Sequence, residues 1–164
     1  MLKFWKINNR SNFTALFIAV LIPVLIGAFS GYLSSGSAET YKNLNQPSFA
    51  PPGWIFGPVW TTLYIFMGIA SYRIFLLFRQ NISSSKPLIF YSVQLIFNFL
   101  WTLIFFKFGL RGYAFAELLV LWILILITLI LFYKKDKLSG SLLIPYILWV
   151  TFAGVLNYSV WIMN

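Results

Sequence analysis

Five apolar runs, at about 12–33, 54–78, 87–106, 113–133 and 141–162, leave this chain of 164 residues little choice of solvent. Each approaches the ~20 residues that an α-helix needs to cross the hydrocarbon of a bilayer. Short polar or basic breaks separate them at 34–41, 79–86, 107–111 and 134–141. Backbone groups in lipid must be satisfied within the protein, so only helices and closed barrels span membranes. Runs this long and this uniformly apolar read as helices. The expected fold class is therefore all-α, an integral membrane bundle of five transmembrane helices, carried by 1–164 as one domain. The charge content agrees: 9% of residues are charged, against about 25% in a soluble domain.

The first run has a rival reading as a leader peptide. Lys3, Lys6 and Arg10 precede it and Gly36–Ser37–Ala38 follows it, as at a cleavage site. Its apolar stretch exceeds the usual 7–15 residues of such leaders, so it is expected to stay as a span. Orientation follows from the basic residues. Lys3, Lys6, Arg10, Arg79, Lys86, Lys134, Lys135 and Lys137 fall on one side, and Lys42, Lys107 and Arg111 on the other, with Arg73 inside the second span. Cytoplasmic loops carry the excess of Lys and Arg, which places the N-terminus inside and the C-terminus outside. The net charge of +9 is thus that of membrane anchors, and no nucleic-acid partner is expected.

The chain contains no Cys and no His. Thiolate nucleophiles, imidazole bases, disulfides and Cys/His metal sites are excluded together. Its three acids, Glu39, Glu117 and Asp136, lie far apart in sequence, which disfavours conventional hydrolysis. No metal site and no resident cofactor are expected.

Chemistry concentrates in the segment from Gln46 to Trp60. Pro47, Pro51 and Pro52 fix φ and remove backbone donors, so this loop, with Phe49, reads as a stiff lid. Trp54 and Trp60 bring amphipathic rings to the level where membrane meets water. A rigid, aromatic mouth over a membrane bundle suits a large, flat, apolar ligand.

Polar and aromatic stripes at helical spacing mark inward faces. The second span carries Trp60, Tyr64, Met67 and Ser71; the third Gln94, Asn98, Trp101 and Phe105; the fifth Tyr146, Trp149, Ala153 and Asn157. Helix packing explains any one of them, since amide bonds between membrane helices contribute about 0.6–2 kcal/mol. Three stripes of the same chemistry fit a pocket with few polar anchors and much aromatic surface. The fourth span has only Trp122 and Thr128 to break its Leu and Ile, and is expected to face lipid. Glu117 lies one turn inside it; such an acid either serves function or snorkels to the interface. Gly27 and Gly31 form a GxxxG pair for close helix approach, within the bundle or in a dimer.

At these residues the sequence resembles the TspO/MBR family of tryptophan-rich sensory and translocator proteins. The resemblance runs from about Gly27 to Asn164. It is carried by Gln46–Trp60, Leu63–Tyr64 and Met67–Gly68, then Tyr91, Gln94, Asn98 and Trp101, then Pro145–Tyr146, Trp149, Ala153 and Leu156–Tyr158. It implies a five-helix bundle, often a homodimer, whose first loop closes a pocket in a membrane, here one of prokaryotic type. It also implies binding of porphyrins such as protoporphyrin IX, of sterols in some lineages, and of synthetic isoquinoline or benzodiazepine ligands. By that resemblance Trp60, Asn98, Trp101, Trp149, Ala153 and Leu156 match pocket positions, Trp54 the lid, and Glu117 an acidic position. Two departures stand out: Phe49 replaces the family's usual Trp, and no basic residue follows Leu156–Asn157–Tyr158, which disfavours cholesterol.

The expected ligand-binding set is Trp54, Trp60, Tyr64, Gln94, Asn98, Trp101, Tyr146, Trp149, Ala153, Leu156 and Asn157. The expected function is binding of porphyrin-like tetrapyrroles as sensor, carrier or scavenger, with membrane lipid as the other partner. The alternative is light-dependent porphyrin degradation assisted by Trp60 and Trp149, with no dedicated catalytic group. A transporter would place a midplane charge or an inverted repeat at its site, and neither is present.

Overall fold

The computed structural model describes residues 6–8 and 11–164. Its helices are α1 (Phe13–Leu33), α2 (Ser37–Asn43), α3 (Phe56–Arg79), α4 (Lys86–Thr102), α5 (Arg111–Lys135), α6 (Lys137–Ser141) and α7 (Ile144–Met163). A 3₁₀ turn at Gly53–Ile55 leads into α3, and a π-turn at Leu103–Lys107 ends α4. Five segments are long and apolar enough to cross a membrane: Phe13–Leu33, Gly53–Arg79, Lys86–Lys107, Arg111–Lys135 and Lys137–Met163. The all-helical five-span reading holds, with ends displaced by at most a few residues. Lys3 and Arg10, which entered the orientation argument, lie outside the described residues.

Local chemistry sets the boundaries. The Asn12 side chain accepts from the Ala15 N–H at 2.9 Å and caps α1. Pro87 and Pro145 sit in first turns, where a missing N–H costs nothing. Gly36 and Gly109 take positive φ at the two turns nearest the lid.

Around the bundle α1 lies against α3 and α4, α4 against α5, and α5 against α7. Aromatic contacts close the ring between α7 and α3: Trp60 meets Tyr146 at 6.1 Å and Phe56 meets Trp149 at 5.8 Å. Residues 34–55, the turn at 108–110 and Asn164 share one end, here called the lid end. The opposite end, the base, holds residues 80–85 and α6.

Contact is closest between α1 and α3. A Cβ on Gly68 would stand 2.5 Å from the Val20 Cα, and one on Gly27 would enter the Tyr64 ring. The GxxxG pair is thus split: Gly27 serves packing inside the bundle, while Gly31 touches nothing. At the base, Arg73 in α3 holds Asp136 through two bonds, Nε to Oδ2 at 2.6 Å and Nη2 to Oδ1 at 2.9 Å. Asp136 also caps α6 by accepting from the Ser139 N–H and hydroxyl. Burial opposes its charge, but the bonds from Arg73 and Ser139 prevail and hold the carboxyl below its usual range.

The fourth span faces outward as expected on one side only. α5 leaves Leu119, Val120, Ile123 and Ile130 exposed on the outer face, and buries a stripe of Ala114, Leu118, Leu121, Ile125, Thr128 and Phe132 against its neighbours. In a membrane, lipid-facing and packed surfaces are equally apolar. Composition alone therefore does not show which face is buried.

Candidate functional site

A cavity of about 390 Å³ opens at the lid end between α1, α2, α3 and the end of α4. Its aromatic walls come from Phe56, Trp60, Tyr64, Trp101 and Phe106, with Tyr41 of α2 above. Gly27, Ala28 and Gly31 of α1 form the opposite side. Trp60 and Tyr64 stack at 5.5 Å with planes 28° apart, as their i, i+4 spacing on α3 allows. The π-turn inserts an extra residue after Trp101. It leaves Phe105 in the core, 4% exposed, and Phe106 on the cavity wall.

Behind this wall, three helices exchange hydrogen bonds. Tyr64 donates its hydroxyl to Asn98 Oδ1 at 2.8 Å, Asn98 Nδ2 donates to the Tyr146 hydroxyl at 3.1 Å, and Tyr146 donates to Gln94 Oε1 at 2.8 Å. Gln94 Nε2 in turn points at the Met67 sulfur, 3.9 Å away. All these side chains are buried. The amides expected to face a ligand thus face one another, because a buried amide in an apolar core must find a partner. Asn157 is used the same way: it accepts from the Trp101 indole at 3.1 Å and donates to the Arg111 carbonyl at 3.0 Å.

The expected set therefore divides. Trp60, Tyr64 and Trp101 line the cavity. Gln94, Asn98, Tyr146 and Asn157 hold its walls from behind. Ala153 and Leu156 are buried in the core. Trp149 lies on the other side of α3, in an apolar groove of about 590 Å³ with Pro58, Val59, Leu63, Pro145 and Phe152. Its indole nitrogen is enclosed without a hydrogen-bond partner, as are both Glu117 carboxylate oxygens. Trp54 is 75% exposed and stands away from the cavity.

The loop closes the lid end as its prolines require. Tyr41 donates to the Pro51 carbonyl at 3.0 Å, the Ala50 N–H to Pro47 at 2.9 Å, and the Ile55 N–H to Pro52 at 3.0 Å. The Gln46 amide donates to the Tyr41 carbonyl. Phe49 meets Phe152 of α7 edge-on at 6.3 Å. Sequence reasoning missed Tyr41, Gly57 and Phe106 as cavity residues. Gly57 lay within the segment read as decisive, but a π-turn leaves no periodic trace by which to place Phe106.

The sequence model of the TspO/MBR family matches residues 19–162. The chain belongs to the TspO/MBR family. It is 39% identical over 149 residues to Protein CrtK of Rhodobacter capsulatus, covering 91% of this chain and 92% of the relative. It is 37% identical to a tryptophan-rich sensory protein of Cereibacter sphaeroides, covering 92% of each. The human translocator protein is 36% identical, with 83% of this chain and 82% of the relative covered. The bundle is thus that of a TspO/MBR membrane protein, and the match takes in the last four spans almost entirely and the first from Ala19 onward.

Proposed function

We propose that this TspO/MBR protein binds a flat, hydrophobic tetrapyrrole of the protoporphyrin class, as sensor, carrier or scavenger. The observation that carries the reading is the aromatic cavity at the lid end, lined by Trp60, Tyr64 and Trp101 on one side and by the small residues Gly27, Ala28 and Gly31 on the other. Aromatic surfaces pair with such rings at centroid separations of about 4.5–7 Å, and the polar groups behind them hold those rings in place. The chain carries no His or Cys, the usual strong protein ligands of haem iron, so a metal-free ring is the favoured occupant. The excess of basic residues around the base supports an N-terminus in the cytoplasm and a lid facing outward.

Titration of purified protein with protoporphyrin IX, followed by tryptophan quenching, tests the proposal. Saturable quenching that weakens in Trp60→Leu supports it, and its absence from the unaltered protein overturns it. One observation favours the enzymatic alternative: the Trp60–Tyr64 stack, with the Tyr64 hydroxyl bonded to Asn98, is a pair through which an excited ring can exchange an electron. Repeated turnover under light, lost in Trp60→Phe, separates that activity from bleaching of bound ligand.

A further inference from the structure

Along most of their length α1 and α3 are pinned together, at Gly68 against Val20 and at Gly27 against Tyr64. Towards the lid the same helices carry Gly31 and Gly57, and there a Cβ would meet nothing within 4 Å. Neither glycine has a positive φ, so the backbone does not require it, and a helical glycine costs about 1 kcal/mol relative to alanine. Both line the cavity and both are exposed, as are Ala28 and Thr61 about one turn deeper. Packing thus accounts for Gly27 and Gly68 and leaves Gly31 and Gly57 unexplained. What their missing side chains do leave is an open slot.

The loop over the lid end is tied down by contrast. The Asn45 N–H donates to Asn164 Oδ1 at 3.0 Å, Asn45 Nδ2 to the Met163 carbonyl at 3.1 Å, and Asn164 Nδ2 to the Asn45 carbonyl at 3.0 Å. These bonds tie the loop to the end of α7, while Tyr41–Pro51 and Phe49–Phe152 tie it at two further points. From this contrast we infer that the cavity fills sideways, through a slot between α1 and α3 framed by Ala28, Gly31, Gly57 and Thr61, from ligand already dissolved in the membrane. Gly31 lies in the last turn of α1 and Gly57 in the first turn of α3, so the slot sits where acyl chains meet headgroups. A flat amphiphile there slides its ring inward while its acids stay in the polar layer. Any side chain longer than a methyl at Gly31 or Gly57 narrows that passage. The occupant rests on the binding proposal above; the slot does not.

Because the chain has no cysteine, introduced thiols are unambiguous. Gly31→Cys/Gly57→Cys, bridged by a cleavable bifunctional maleimide, staples the slot; Asn45→Cys/Asn164→Cys, bridged alike, staples the lid. Protoporphyrin IX is mixed with each protein in phosphatidylcholine vesicles and quenching is followed by stopped flow. Relative to the unbridged double-cysteine protein, bridging the slot is expected to slow association tenfold or more, and bridging the lid to change it less than twofold. Association unchanged by the slot bridge, or slowed as much by the lid bridge, overturns the inference. A nitroxide on Ala28→Cys supplies a test that needs no ligand. It should collide more often with oxygen than with a water-soluble nickel chelate, and the reverse order overturns a lipid-facing slot. If the unaltered protein takes up no porphyrin, the binding proposal falls and the nitroxide result decides the slot alone.

Discussion

In the inner part of the bundle α1 and α3 meet so closely that Gly68 has no room for a Cβ beside Val20, whereas at the lid end the same pair leaves Gly31 and Gly57 in open space. The base is held by a two-point ion pair from Arg73 to Asp136. The lid end is held by amide contacts on an exposed loop and encloses a cavity. Between them, the Tyr64–Asn98–Tyr146–Gln94 chain ties α3, α4 and α7 together beneath the ring faces. Between α1 and α3, the inner half uses Gly68 for contact, and the lid half leaves Gly31 and Gly57 open. The cavity thus opens at the end where this helix pair parts.

The contrast breaks most visibly at Gly68. Gly68→Leu forces α1 away from α3 and is expected to cost about 3 kcal/mol, the upper end for overpacking. A fall in the detergent melting temperature of at least several degrees would register it. Arg73→Leu strands a partly buried carboxylate. The full loss for a buried pair is about 3–5 kcal/mol, reduced towards 2 because Asp136 is partly exposed. The same pair predicts a pH dependence. The Asp136 carboxyl is held below its usual range, so its stabilisation is complete above the ordinary aspartate value of about 4. It is lost as pH falls through the lower folded value. Melts of Asp136→Asn should therefore start lower and lose this part of the acid-side decline.

Tyr146→Phe sharpens the middle of the comparison. It deprives Asn98 of an acceptor and Gln94 of a donor, at about 1–2 kcal/mol, and loosens the Tyr64 contact that sets the Trp60 face. Both melting temperature and porphyrin affinity should drop, whereas Trp101→Phe should lower affinity several-fold with a smaller effect on the melt. The least effect belongs to Gly31→Ala, where better helix propensity is worth up to about 1 kcal/mol in the stabilising direction. A clear loss of stability there would show that α1 needs this glycine for packing.

The five spans were legible because bilayer thickness and hydrocarbon chemistry fix their length and composition. The stripes on α3, α4 and α7 were legible as inward faces for the same reason. Their partners were not. Asn98 and Gln94 show the same spacing whether they meet a ligand or each other, and only the rotation of α4 against α7 decides. Trp149 shares a helical face with Tyr146, yet Tyr146 turns into the bundle core and Trp149 sits at the edge of α7 against Phe56, on a separate groove. The burial of α5 was hidden because Leu121 and Leu119 are chemically identical, although the first is buried and the second exposed. Gly31 was legible as a small residue in a packing motif, but its open surroundings belong to tertiary structure.

The central claim is that ligand occupies the lid-end cavity at Trp60 and not the α3–α7 groove at Trp149. Protoporphyrin IX titrations of Trp60→Leu and Trp149→Leu test it most directly. The account predicts a dissociation constant raised about tenfold, or roughly 1.4 kcal/mol, in Trp60→Leu, and one within twofold of the unaltered protein in Trp149→Leu. The opposite ranking would contradict it.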